Sequence, residues 1–422
     1  MDSLAYWLWL SLRCTVGSET FSRLNKTFSK PSEVYFASDE EIEKALSSYK
    51  KDYKRLCDKS FTDVQRVLDY CHSRKIRMMT YESPEYPEAF KALTSPPLVL
   101  YYYGAMPDLN EEMLVSIVGT RRMSDYGKKM AFEIASDLAT AGAVIVSGMA
   151  LGVDGTAHAA AMNAGGKTIA ILGSGIDRIY PPAHKRLYSY IIEHGAVMTE
   201  FPPTEGPERY NFPKRNRLIS ALSSATVVIE GNLESGSLIT GHLAMSQNKT
   251  VYALPGNIDE ENGEGTALLL REGAKCITCA DDVVSDFSPT YKKLNIFKLL
   301  KKSSLNIEAT LARMGVSSIP YENKKKNKGT DKNEINTANT KDKTEQTKPV
   351  KVSSVTDDEK ESVFSLLGKD AEDFYNRIPE NEAVYIEAVA EKGRITEAMS
   401  TTTLLEVYGL IESLPGNRIR RK

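Results

Sequence analysis

Along the middle of the chain one arrangement of apolar and polar positions recurs: a short β-branched run, a glycine-rich turn, then a helix-like segment. It occurs at Ser116-Ile117-Val118-Gly119-Thr120-Arg121, at Val144-Ile145-Val146-Ser147-Gly148 and at Ile169-Ala170-Ile171-Leu172-Gly173-Ser174-Gly175. It returns at Val227-Val228-Ile229-Glu230-Gly231 and at Val251-Tyr252-Ala253-Leu254-Pro255-Gly256. Apolar runs alternating with helical segments predict parallel strands joined by helical crossovers, the α/β class with a Rossmann-like sheet. The carboxyl ends of such strands lie along one edge, where ligands bind. Several bare-backbone turns on that edge predict a floor of N–H groups suited to phosphate.

The flanking patterns differ. Residues 1–75 read as a small helical domain, with helices over 4–12, 21–28, 39–45 and 62–73. Residues 76–288 form the α/β block, opening with a bridge punctuated by Tyr86-Pro87 and Ser95-Pro96-Pro97 and a strand over 98–103. A connecting segment covers 289–323. Residues 324–356 are rich in Lys, Asn, Thr, Asp and Glu and nearly devoid of apolar positions, so a disordered tether is expected. Residues 357–422 show helical patterns at 359–367, 383–390 and 402–408. An apolar strand at 409–414, a Pro415-Gly416-Asn417 turn and Arg418-Ile419-Arg420 follow, which reads as a winged helix-turn-helix able to bind DNA or protein.

Composition narrows the class. The 422 residues are 41% hydrophobic and 26% charged, with a net charge of −2, so any nucleic-acid binding must come from a local basic patch. The apolar start, 1–12, lacks a basic n-region and reads as a buried helix rather than a signal peptide. No apolar stretch is long enough to span a bilayer. Five scattered cysteines suit a reducing cytoplasm.

Four loops could carry chemistry. Gly119-Thr120-Arg121-Arg122 puts cations beside a strand end, and an ordinary βα turn reads equally well. The turn from Ser147 to His158 has three glycines after a strand, yet it is not G-x-G-x-x-G and no acidic ribose ligand follows the first strand, so no dinucleotide cofactor is expected. Within it, Asp154 and His158 are read as a loop brace and a buried hydrogen-bonded side chain; the competing reading is a general base oriented by a carboxylate. Asn211-Phe212-Pro213-Lys214-Arg215-Asn216-Arg217 gathers three cations and two amides next to a ring at a helix start. Cations placed against the helix dipole point to an anionic ligand, and a ring beside them is the usual arrangement for an unstacked base. Glu234-Ser235-Gly236-Ser237 offers hydroxyls and N–H groups at another helix start. Cys276-Ile277-Thr278-Cys279 has no second ligand pair for a metal and is read as ordinary packing. His72, His184, His194 and His242 show no ligand spacing and are assigned no role.

Taken in order, several of these segments resemble the DNA-processing protein A family (DprA, also called Smf). They are Ser116–Arg121, Ser147-Gly148-Met149-Ala150-Leu151-Gly152-Val153-Asp154-Gly155, Tyr180-Pro181-Pro182, Phe212-Pro213-x-Arg215-Asn216-Arg217, Ser235-Gly236-Ser237-Leu238-Ile239-Thr240 and Leu254-Pro255-Gly256. The likeness covers about residues 86–282. It implies an extended Rossmann-like domain, with an N-terminal SAM-like helical domain and a C-terminal winged helix. It further implies a homodimer that binds single-stranded DNA, without a dinucleotide, and loads the RecA recombinase in natural transformation; with the composition and spacing above, the chain is expected to be a cytoplasmic, non-enzymatic protein with no cofactor, metal or membrane. Carried over by motif, Arg121, Phe212, Lys214, Arg215, Asn216 and Arg217 would line the DNA pocket. Gly119, Thr120, Gly148, Ser235, Gly236 and Ser237 would complete it. The long segment after Lys324 and the Cys276/Cys279 pair depart from the family pattern. The rival reading is a nucleotide-processing, phosphoribohydrolase-like enzyme using Asp154, His158 or Glu230. A third makes the C-terminal region a double-strand reader on an α/β scaffold.

Overall fold

The structure is a computed structural model. It describes residues 2–295, 298, 306–321, 360, 363–364, 367, 369–380, 382–390, 398, 401–402, 405–406, 410–414 and 418–421. The expected tether at 324–356 and the Pro415-Gly416-Asn417 turn lie outside the described residues.

Six helices open the chain: α1 (Ser3–Arg13), α2 (Thr20–Leu24), α3 (Pro31–Phe36), α4 (Asp39–Leu46), α5 (Tyr53–Cys57) and α6 (Thr62–Arg74). Sequence periodicity gives four of them; α3 and α5 are too short for a full apolar repeat. Trp7, Leu8, Trp9 and Leu10 of α1 are buried, so the apolar start packs inside the protein. α4 begins with a capping box between Ser38 and Glu41.

Nine strands follow in one sheet: β1 (Arg77–Thr80), β2 (Val99–Gly104), β3 (Leu114–Val118), β4 (Val144–Ser147), β5 (Thr168–Ile171), β6 (Gly195–Thr199), β7 (Ala225–Val228), β8 (Thr250–Ala253) and β9 (Lys275–Cys276). Their order is β1-β2-β6-β5-β4-β3-β7-β8-β9. The five strands expected from the glycine-turn repeat, β3, β4, β5, β7 and β8, all pair in parallel. β1–β2 and β2–β6 are antiparallel, which makes the sheet mixed at one edge. β6 went unread because Gly-Ala-Val-Met-Thr has little β-branching. Its Gly195 is required by packing, since a Cβ there would lie 1.9 Å from the Thr168 carbonyl oxygen.

From β3 the chain steps outward through β4 and β5 to β6, then jumps back to β7 on the other side of β3. The strand order therefore reverses between β3 and β7, and connections leave in opposite directions from that point. This is where an open α/β sheet leaves a crevice at its carboxyl edge.

Helices cover both faces. They are α7 (Glu88–Lys91), α8 (Asp125–Ala141), α9 (Val153–Asn163), α10 (Lys185–His194), α11 (Asn211–Leu222), α12 (Gly236–Ser246), α13 (Glu261–Arg271), α14 (Ala280–Phe287) and α15 (Ile307–Met314). Strand alternation divides the core. Val115, Ile117 and Ile145 join the cluster that includes α8, α9 and α1, while Leu114, Val118, Val144 and Val146 join the cluster with Leu218 and Leu238. Ser124 caps α8 by accepting from the Gly127 N–H, and Gly142 ends it at φ +107°.

Toward the end of the chain, α16 (Lys369–Arg377) precedes β10 (Val384–Tyr385), α17 (Ile386–Val389), β11 (Ile411–Leu414) and β12 (Arg418–Arg421). The last three strands form a separate sheet ordered β10-β12-β11, with β11 and β12 antiparallel as the hairpin pattern predicts. The helical pattern expected over 383–390 is split, its first residues forming a strand against β12. No helix among the described residues is long and apolar enough to cross a membrane.

Candidate nucleic-acid interface

The crevice at the reversal point holds a cavity of 840 Å³. The ends of β3, β4 and β7, the loop after β5 and the first turns of α11 and α12 all meet there. Gly119 and Arg121 come from the β3 turn, Asp154 from the β4 turn and Tyr180 from the β5 loop. Phe212, Arg215 and Asn216 come from α11, and Ser235, Gly236 and Ser237 from the start of α12. Two helix amino termini thus converge, each presenting a positive dipole end.

Phe212 is the centre. Its ring lies 5.8 Å from the Arg121 guanidinium, 6.0 Å from that of Arg215 and 5.3 Å from the Tyr180 ring. Gly173 makes room, because a Cβ there would stand 2.8 Å from the Phe212 ring. Arg121 is exposed and available to a ligand. Arg215 is different: it is buried and donates to the carbonyls of Gly148, at 2.8 Å, and Ile171. Burial, with the repulsion of Arg121, lowers its pKa to about 10, still far enough above neutrality to keep it charged. Its attraction to Asp154 works the other way.

The β4 turn is braced from inside. Asp154 accepts from the N–H groups of Gly148, at 3.1 Å, and Ala150, at 3.3 Å. Burial raises its pKa, opposed by Arg215 and these two N–H groups. Gly148 therefore has both backbone groups engaged, and a Cβ on it would strike the Arg215 guanidinium at 2.5 Å. Its glycine serves the arginine behind it rather than a ligand in front. Thr120 is similarly engaged, its N–H bonded to the Glu230 carbonyl at 2.8 Å. Ser235 caps α12 by accepting from the Ser237 N–H, leaving Gly236 exposed at the tip.

Lys214 and Arg217 do not join Phe212 in the cleft. The Lys214 ammonium sits 5.1 Å from the Tyr210 ring, and Arg217 is buried in an ion pair with Glu200. Helical geometry explains the division. Phe212, Arg215, Asn216 and Ile219 follow i, i+3, i+4, i+7 and share the cleft face, whereas Arg217 falls on another. The same periodicity was present in the sequence and could have separated them. Tyr180 was legible as part of Tyr180-Pro181-Pro182, but nothing in the sequence placed it against Phe212.

His158 is fully buried. Thr168 gives its hydroxyl hydrogen to the Ile145 carbonyl, so its oxygen accepts from His158 Nδ1–H at 2.6 Å. Nε2 is then a buried acceptor without a partner among the described residues, and burial lowers the pKa to about 3. Glu230 accepts from the Ser124 N–H at 2.9 Å, from the Ser124 hydroxyl and from Asn262, bracing the start of α8.

His184, given no role from sequence, is a tie. Its Nδ1–H donates to the Met149 carbonyl and its Nε2 accepts from the Ser317 N–H, both at 3.0 Å. This holds Met149 at φ +57°, an uncommon conformation for a non-glycine residue. The strap 315–321 continues across the site: the Gly152 N–H donates to the Ser317 carbonyl at 2.9 Å and the Ile319 N–H to the Arg121 carbonyl at 3.0 Å. Cys276 and Cys279 are exposed, which corrects their reading as packing residues; Ile277 between them is the one that packs.

The profile of the family described as DNA recombination-mediator protein A matches residues 77–288, which contain the β3, β4 and β5 turns and the starts of α11 and α12 that line the cleft. The chain belongs to that family. DNA recombination-mediator relatives include the DNA processing protein DprA of Bacillus subtilis, 35% identical over 233 residues, which span 55% of this chain and 78% of that protein. The DprA of Streptococcus pneumoniae is 41% identical over 202 residues, spanning 48% of this chain and 71% of that one. The X-ray structure of the pneumococcal protein superposes with a TM-score of 0.59 at 30% identity, covering 68% of this chain and 98% of that chain.

Proposed function

We propose that the cleft binds single-stranded DNA and that the protein acts in recombination as a binder rather than an enzyme. The observation that carries this is the Arg121–Phe212–Arg215 group with Tyr180, set between two helix amino termini. Arg121 and the α12 tip at Gly236 engage phosphates, and a splayed base stacks on Phe212 or Tyr180. A duplex keeps its bases paired and cannot offer one to the rings. Asp154, His158 and Glu230, the candidate groups of the nucleotide-processing alternative, each make the internal contacts described above. Their bracing roles support a binding site.

Beyond the cleft, we infer a cytoplasmic homodimer that hands its strand to a RecA-type recombinase during natural transformation. The helical amino-terminal unit is read as SAM-like, and the three-stranded carboxyl-terminal sheet with its helices as a winged helix. Family membership supports these assignments.

Fluorescence anisotropy with labelled oligo-dT and a matched duplex over a salt series tests the cleft. The single strand should bind more tightly. Arg121→Ala should lower the salt slope by about one unit for any sequence. Phe212→Ala should cost about 1–3 kcal/mol with little change in slope. Equal affinity for duplex, or no effect of either substitution, would sink the reading.

A further inference from the structure

The cleft has a rim, and a further ring stands on it. Tyr210 is the residue before α11 and lines the cavity together with Phe212. It is 52% exposed. Of the large apolar side chains exposed among the described residues, Tyr180 and Tyr210 are the two that line the cleft. α11 takes no capping hydrogen bond from the Tyr210 side chain, so the ring is not there to start the helix.

The charge beside this ring repeats a pattern already met in the cleft. The Lys214 ammonium lies 5.1 Å from the Tyr210 ring, four residues on and so one turn along the same side of α11. The Arg121 guanidinium lies 5.8 Å from the Phe212 ring. Each pair sets a cation over a ring, and each nucleotide of a single strand joins a base to a phosphate. At an exposed site such a contact contributes little to folding.

Lys214 is also guided to its place. It is half-buried, and a Cβ on Gly17 would lie 3.8 Å from its Cγ and Cδ. The loop after α1 thus runs beside the lysine stem while the ammonium reaches the ring. Tyr210 lines the cavity and Lys214 does not, so the ring is where the cleft passes to the lysine.

We propose that Tyr210 and Lys214 form a second nucleotide station at the rim of the cleft. The Tyr210 ring stacks on the base next to the one held at Phe212, and the Lys214 ammonium takes a phosphate of that step. The station rests on the single-strand reading and makes the unit recognised two nucleotides rather than one. Stacking accepts any base, so the station adds affinity without sequence preference.

The test is anisotropy of labelled oligo-dT with the full chain over a salt series. The proteins are the unmodified chain, Phe212→Ala, Tyr210→Phe, Tyr210→Ala, Lys214→Met and the double variant Tyr210→Ala with Lys214→Met. Methionine keeps an apolar stem beside Gly17 without the charge. Tyr210→Ala should bind about tenfold more weakly, the loss of one stacked base, with urea unfolding unchanged. Tyr210→Phe keeps the ring and should bind as the unmodified chain does. Lys214→Met should lower the salt slope by about one unit. The double variant should bind about tenfold more weakly than Lys214→Met alone, because the ring meets a base of its own.

The proposal is overturned if Tyr210→Ala binds as tightly as the unmodified chain, or if Tyr210→Phe is as weak as Tyr210→Ala. It is equally overturned if Tyr210→Ala costs nothing in the Lys214→Met background, which makes the ring a support for the ammonium and not a stacking surface. A loss confined to Phe212→Ala removes this station and leaves the single-strand reading standing. No oligo-dT binding by the unmodified chain removes both.

Discussion

Three arginines within one short reach of space have three different jobs, and burial assigns them. Arg121 is exposed beside Phe212 and is free to meet a phosphate. Arg215 is spent on backbone carbonyls under the β4 turn. Arg217 faces Glu200, which burial would otherwise drive toward the neutral form. Removing Arg217 strands a buried carboxylate, so Arg217→Ala should cost about 3–5 kcal/mol in urea unfolding. Replacing both partners, as Arg217→Met with Glu200→Leu, should recover most of that loss. Wild-type stability in the single variant would refute the pairing. A DNA-binding defect in Arg217→Ala therefore reports on folding first, whereas Arg121→Ala reports on the strand.

At the scale of elements, the cleft loops are held by a segment that contributes nothing to the sheet. Strap residues Ser317 and Ile319 bond to His184, Gly152 and Arg121 through the backbone. Ile319→Pro removes the N–H that fixes the Arg121 carbonyl, a contact worth about 0.5–1.5 kcal/mol. Oligo-dT affinity should fall several-fold in this variant with a small change in melting temperature. Ile319→Ala keeps the N–H and should bind as the unmodified chain does. If the two variants bind alike, the backbone bond is not what positions Arg121.

At the scale of the molecule, acid stability is linked to two neutral histidines packed against the sheet, His158 at the amino end of β5 and His184 under the turn after β4. His158 has a folded pKa of about 3 against a reference of 6.5, and that of His184 is also lowered, both chiefly by burial. The unfolded chain binds these protons first. The contribution of His158 is complete above pH 6.5 and is lost as the pH falls toward 3, at up to about 1.4 kcal/mol per pH unit, and that of His184 is lost in the same direction. Asp154, Glu200 and Glu230 have raised values and oppose this loss on the acid side. His158→Asn keeps a donor for Thr168 and does not titrate. Its unfolding free energy should depend less steeply on pH between 6.5 and 4, by about one proton. An unchanged slope would show that His158 is not the group taking up the proton.

The sequence by itself determined the parallel core of the sheet, the edge on which a ligand would sit and the residues that identify the family. Each of these rests on local pattern: β-branched runs, glycine turns and a cation cluster beside Phe212. Tertiary structure decided the rest. β2 was already legible as a strand over 98–103, whereas β6 forms because neighbouring strands supply its hydrogen bonds, not because Gly-Ala-Val-Met-Thr favours a strand. The roles of Lys214, Arg215 and Arg217 diverge because a helix turns them toward different surroundings, one of them a carboxylate seventeen residues upstream. His184 and the strap matter through partners far away in the chain, at Met149, Gly152 and Arg121. Burial and partner identity depend on the whole chain being folded, and no local stretch of residues contains them.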